Sequence, residues 1–312
     1  MRTMGSSATT MKADVGNAVK RIRFVVTGDL ERKAIAGSIS ARFPPTDGDG
    51  NPVAWLRAQK VPAATTHRLA ASAAPSGTMK ALARRVIAEA AEGEDGNPAD
   101  LVIAVDDLEL HNIDQPEVVC DHFQRAMEIE IEDRKLSQAA EQRLRKNIRE
   151  RCSFHLLCPM VEAYFFGEPE ALTRAGCAPG VELLLVKEDL EDFECRDPLW
   201  LPNCTAENQR KIQPPNPMPW WREERHPKHY LEHLVARNGG FYDEVLGGNE
   251  ALKVLDWHRV ASGAQSVSFA RALFEDVADF FGVANPLGQG EPASLTYPER
   301  KVDRSTLLLR NL

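Results

Sequence analysis

The sequence predicts an α/β fold in which a mostly parallel sheet is flanked by helices and followed by a mainly helical C-terminal part. Short β-branched runs at 21–28, 101–105 and 153–159 are separated by stretches of helical periodicity, and after about residue 175 Pro-rich punctuation precedes further helical stretches. Parallel strands need long crossovers, and the helical stretches between these runs supply them.

Residues 1–20 contain no continuous apolar core and read as a flexible tail rather than a secretory signal. RIRFVVTG (21–28) is a strand closed by Gly28, and LERKAIAGSISARF (30–43) follows as a helix with Leu30, Ala34, Ile35, Ile39 and Phe43 apolar. DGDGNP (47–52) is a loop. GTMKALARRVIAEAAEG (77–93) puts Met79, Leu82, Ala83, Val86, Ile87 and Ala90 on one helical stripe, and LVIAV (101–105) is the next strand. The stretch 116–152 lacks internal Gly and Pro and reads as a long helix with room for one break. SFHLLCP (153–159) is a strand, and MVEAYFFGEPEAL (160–172) an amphipathic helix or a pair of turns. An α/β domain over 21–175 is therefore expected, with a C-terminal part over 176–312 that is helical at 227–238 and 265–282.

At 312 residues with 43% hydrophobic composition the chain buries a sizeable core, and no apolar run approaches the roughly 20 residues of a membrane span. The net charge of −8 argues against a protein that coats DNA through excess Lys and Arg, while leaving room for a nuclease with one local basic surface. The six cysteines form no CxxC pair, as expected of reduced thiols in the cytoplasm.

The candidate chemistry lies at two strand ends. GDLE follows the first strand with Asp29 and Glu31, and DDLE ends the strand at 101–105 with Asp106, Asp107 and Glu109. Open parallel sheets bind ligands beyond the carboxyl ends of their strands, so these acids converge if the two strands are neighbours. Such a cluster repels itself unless a cation neutralises it, and hard oxygen donors select Mg²⁺ or Mn²⁺ for phosphoryl chemistry. The same acids also suit helix caps and first-turn positions. Glu162 follows a further strand and is either a site acid or an ordinary helix residue. Arg32, Lys33 and Lys228 are phosphate contacts or surface charges.

Taken together, VVTGDLERKAI, VDDLEL, MVEAYFFGEPEAL and HPKHYLEHL resemble the Toprim fold of topoisomerases, primases and OLD-type nucleases, and in particular the small stand-alone Toprim-like proteins of bacteria. The resemblance spans about residues 21–237 through scattered motifs. It implies a Rossmann-like sheet and a nuclease acting on DNA or RNA, in which Glu31, Asp106, Asp107 and Glu109 hold Mg²⁺ or Mn²⁺ and Glu31, Glu162 and Lys228 act in catalysis. It also implies a place beside ATPases in phage-defence loci, either as the nuclease or as a non-catalytic subunit that binds a partner ATPase. A homo-oligomer is compatible with either. The chain departs from the family at the first turn: OLD-type proteins read V-E-G-x-x-E, whereas here Thr27 stands in place of the first acid and Glu31 keeps the second. The expected D-x-D reads Asp107-Leu108-Glu109, with Asp106 displaced by one.

A rival pattern lies in HPKHYLEH (226–233), where His229, Glu232 and His233 satisfy H-x-x-E-H, a spacing suited to a zinc hydrolase. Its third ligand has no distinctive motif, Glu275 and Glu291 being merely available acids, and the same residues make a plain amphipathic helix. Trp220 and Trp221 are candidates for base stacking or for pinning a loop. GDGNP and GGFYDEVLGGN lack the context of a phosphate loop.

Overall fold

In the computed structural model, which describes residues 18–94, 96–201, 224–262, 266–288 and 307–312, the first two β-branched runs become adjacent strands. These are β1 (Lys20–Val26) and β4 (Leu101–Asp107), paired in parallel from Ile22 opposite Leu101 to Val26 opposite Val105. Between them in sequence lie α1 (Asp29–Ser40), the short strands β2 (Val53–Trp55) and β3 (Gln59–Lys60), and α2 (Gly77–Ala91). After β4 come α3 (Pro116–Asp133), α4 (Gln138–Arg151) and β5 (Cys152–Leu157). The sheet order is β2-β1-β4-β5, with β3 also on β1, and every pairing is parallel.

The expected α/β class is thus present. The strands β2 and β3 escape sequence reading because they hold three and two residues, too few for a pattern of period two. The long helical stretch breaks once, after Asp133, near Lys135, whose φ of 47° is left-handed. MVEAYFFGEPEAL divides into a 3₁₀ segment (Val161–Gly167) and α5 (Pro169–Ala175).

Alternating strand residues build two cores. Phe24, Val26, Ile103 and Val105 face one side, where α1 packs together with helices of the C-terminal part. Those helices are α6 (Pro227–Arg237), α7 (Asn249–Val254), α8 (Trp257–Val260) and α9 (Ser268–Phe281). Leu231, Trp257 and Phe274 belong to the same buried cluster as the sheet, and Phe43 stacks on Phe281 at 5.0 Å between ring centres. Val25, Val102, Ala104 and Phe154 face the other side, under α2, α3 and α4. Among the described residues, no helix is long and apolar enough to cross a membrane.

The chain runs from β1 through α1 to the β2 edge, then returns through α2 to β4 on the far side of β1. The strand order therefore reverses between β1 and β4, the position where open parallel sheets leave a crevice. The outer edge of β5 is not left bare. Arg310 N–H donates to Cys152 O at 2.7 Å, and the Asn311 side chain both accepts from Phe154 N–H at 3.0 Å and donates to Phe154 O at 2.6 Å. An unpaired strand edge invites pairing with other chains, and this clamp covers it. Residues 1–17, Cys204, Trp220, Trp221 and Glu291 lie outside the described residues.

Replacing Asn311 by Ala leaves both Phe154 backbone groups without their partner. The expected cost is about 1–3 kcal/mol in urea unfolding, because an unsatisfied polar group bears its full desolvation penalty. An unchanged midpoint and slope for Asn311→Ala would contradict the clamp.

A candidate acidic site at the switch point

Thr27 and Gly28 follow directly on β1, and Asp106 and Asp107 end β4 beside them. Asp106 is 2% exposed, and its pKa is pushed up to about 6 by burial against four hydrogen bonds that favour the charged form. The donors are the Thr27 hydroxyl at 2.5 Å, the Thr65 hydroxyl at 3.2 Å, the Asp107 N–H at 3.1 Å and the Ala64 N–H. The Thr65 hydroxyl has one proton and shares it with the Asp107 carbonyl oxygen at 2.6 Å, so Asp106 is well supplied with donors, three of them its own. It ties the end of β4 to β1 and to the loop after β3. Thr27, at the position where the OLD-type pattern has an acid, supplies a neutral donor to this carboxylate.

Glu31 has the opposite character. It lies in the first turn of α1, 5% exposed, with Oε2 buried and without a hydrogen-bond partner. Burial raises its pKa to about 8, and Glu162, Glu244 and Asp106 add repulsion. Gly28 leaves the space this carboxylate occupies, since a Cβ there would stand 1.8 Å from Oε2.

Asp107 accepts from Val161 N–H at 3.0 Å, which joins β4 to the 3₁₀ segment. Its pKa is raised by burial and then by Glu31, Glu109 and Glu162. Glu109 holds φ at 61°, uncommon for a residue with a β-carbon, while its N–H donates to Pro159 O at 2.8 Å. Burial, Glu162 and Asp106 push its pKa up to about 7. Glu162, 3% exposed, is raised to about 7 by burial although Lys228 opposes the shift, and the Tyr242 hydroxyl lies 3.4 Å from its Oε1. Lys228 pairs with Glu244. Burial works against the ammonium, but Glu162 and Glu244 outweigh it and raise its pKa.

The structure thus brings together Glu31, Asp106, Asp107, Glu109, Glu162 and Lys228. Asp29 turns away to pair with Lys60 and with Arg32 at 3.1 Å, and Lys33 is exposed. Sequence reasoning missed Thr65, Tyr242 and Glu244. Glu244 sits in FYDEVLGG, where two acids beside glycines were the available signal.

Among the described residues, no group of three or more His, Cys, Asp or Glu side chains is placed to hold a metal ion. The carboxylates nonetheless crowd together by charge, and a buried oxygen of Glu31 lacks a hydrogen-bond partner. At the rival pattern, His226 Nδ1 accepts from His229 N–H at 3.3 Å, and the two rings stack at 3.6 Å. His233 lies 3.9 Å from Asp197, Glu232 is exposed on α6, and Glu275 is exposed on α9. These side chains do not close around a zinc ion.

Fold and site together define a doubly wound α/β protein with a carboxylate cluster at its switch point. No protein-family model, no curated protein and no solved structure matches the chain.

The raised pKa values fix a pH dependence for the metal-free protein. Between about pH 5 and 8 the folded chain keeps protons on Glu31, Glu109 and Glu162 that the unfolded chain releases, so stability falls as pH rises through this window. The melting temperature should drop by about 2 °C or more from the lower to the higher pH, and by less in Glu31→Gln. Equal pH slopes for the two proteins would overturn the assignment to Glu31.

Proposed function

We propose that the chain is a Toprim-like, divalent-metal-dependent nuclease that hydrolyses phosphodiester bonds in DNA or RNA. The observation that carries this reading is the buried, unpartnered Glu31 oxygen facing repulsion from neighbouring acids across the β1/β4 crevice. Burying several carboxylates serves no packing purpose, and a cation relieves the repulsion. The strained backbone at Glu109 adds to the case, since such strain gathers at functional sites.

Glu31, Asp107 and Glu109 are the residues that would hold Mg²⁺ or Mn²⁺, and Asp106 positions them through Thr27 and Thr65. Bound there, the cation supplies charge stabilisation to the phosphate. A Glu162 carboxyl that titrates near neutrality suits a group taking a proton from attacking water at its Oε atoms, and Lys228 offers its ammonium to a phosphate oxygen.

Purified protein given Mg²⁺ or Mn²⁺ should cleave labelled DNA or RNA, with Asp107→Asn and Glu31→Gln each losing about 100-fold or more. Either ion should also raise the melting temperature at pH 8. Absence of cleavage on varied substrates, or cleavage that survives both substitutions, would refute the proposal.

Glu109→Gly separates function from stability at one position. Removing the β-carbon relieves the left-handed strain, worth about 1 kcal/mol, so the variant should unfold at higher denaturant while losing activity.

A second reading, a catalytically degenerate subunit that binds a partner ATPase, is favoured by Thr27, which leaves the first turn one acid short of the OLD-type pattern. Co-purification with an ATPase, together with unchanged function in Glu31→Ala, would select it.

A further inference from the structure

Tyr242 is buried, and its hydroxyl lies 3.4 Å from Glu162 Oε1. Burial, Glu162 and Glu244 all raise its pKa, so the hydroxyl keeps its proton and donates. A buried phenol takes an acceptor within reach, as Tyr164 does with Glu191 Oε1 at 2.8 Å. Glu191 differs from Glu162, because it also accepts from Phe269 N–H at 3.0 Å, Ala270 N–H at 2.9 Å and the Ser268 hydroxyl at 3.2 Å, and so caps the start of α9. Glu162 takes the Tyr242 hydroxyl and its own backbone N–H. The Tyr242 side of this contact is braced. It leads into a single π-helical turn, Glu244–Gly248, begun by Asp243 Oδ1, which accepts from Val245 N–H and Leu246 N–H, each at 2.8 Å. Gly248 leaves the hydroxyl its place, since a Cβ there would stand 2.7 Å from the hydroxyl oxygen and 2.5 Å from Leu30.

We propose that Tyr242 is a positioning residue for Glu162: by donating to Oε1, its hydroxyl fixes the plane of the carboxyl that takes a proton from the attacking water. This rests on the phosphodiester-hydrolase reading and adds a residue to its machinery. Glu162 follows β5 on the 3₁₀ segment Val161–Gly167, whereas Tyr242 comes from the C-terminal part, so the contact holds Glu162 against an element outside its own. A general base works only when its oxygen reaches the proton, and hydrogen bonds at such sites are often long before substrate arrives and tighten on binding. The turn after Tyr242 also bonds Lys228 through Glu244, so one short stretch places both the base and the ammonium.

Two measurements test it. In the metal-free protein at about pH 5, where Glu162 carries its proton, the infrared carboxyl C=O band that disappears in Glu162→Gln should move to higher wavenumber in Tyr242→Phe, which keeps the ring and removes the hydroxyl. Tyr164→Phe, which removes a buried hydroxyl from the 3₁₀ segment of Glu162 itself, should leave that band in place. With Mg²⁺ or Mn²⁺ and labelled DNA or RNA, Tyr242→Phe should lower kcat about tenfold while KM stays within about twofold of wild type. A band unmoved by Tyr242→Phe or moved equally by Tyr164→Phe, or a Tyr242→Phe kcat within about twofold of wild type, overturns the inference. If it fails while Asp107-dependent hydrolysis persists, the nuclease reading stands without it. If wild type hydrolyses nothing while the band moves as expected, the nuclease reading fails alone and the hold of Tyr242 on Glu162 stands.

Discussion

A carboxylate taken out of water beside other carboxylates loses hydration and gains repulsion, and this penalty is concentrated at the ends of β1 and β4. The surrounding structure meets it in different ways at different residues. Asp106 is given four donors and is tied into the fold. Asp107 is used once, by the Val161 N–H, and otherwise faces its acidic neighbours. Glu31 keeps a buried oxygen with no partner at all. The gradient runs from a carboxylate tied into the fold at Asp106 to one left unsatisfied at Glu31, which is why the proposed function gives Asp106 a positioning role and makes Glu31 a ligand.

Thr27 takes its meaning from this gradient. A further acid at that strand end would set another negative charge against Asp106, whereas a hydroxyl donates to it at 2.5 Å. The loop after β3 completes the same device: the Thr65 hydroxyl reaches both Asp106 and the Asp107 carbonyl, at 3.2 and 2.6 Å. Asn112 holds that loop through Thr65 O, His67 O and Leu69 N–H. One wall of the crevice is thereby fixed to the strand whose acids it borders.

The parts of this arrangement legible in the sequence are those governed by local pattern. The runs at 21–28 and 101–105 announce buried parallel strands, and the acids that follow each run mark the strand ends. Adjacency of β1 and β4 was not legible, because sheet order depends on where α1 and α2 cross, which no short window contains. Nor could spacing distinguish Asp106 from Asp107. Their difference comes from Thr65 and Ala64, some forty positions earlier in the sequence, and from Val161 beyond β5. The short strands β2 and β3 carry too few residues for a period to show.

The C-terminal part is bound up with the same constraint. Glu162 lies just after β5, but Lys228, the cation that tempers it, comes from α6, and the hydroxyl beside it comes from Tyr242. Glu244 adds to the repulsion on Glu31 while pairing with Lys228. These groups reach the switch point because α6 and α7 pack on the α1 face of the sheet within one apolar core with Ile103 and Val105. Hydrophobic packing of helices distant in sequence thus sets the electrostatics of the crevice. A site assembled from the sheet alone would have the acids without the ammonium and the hydroxyl that temper Glu162.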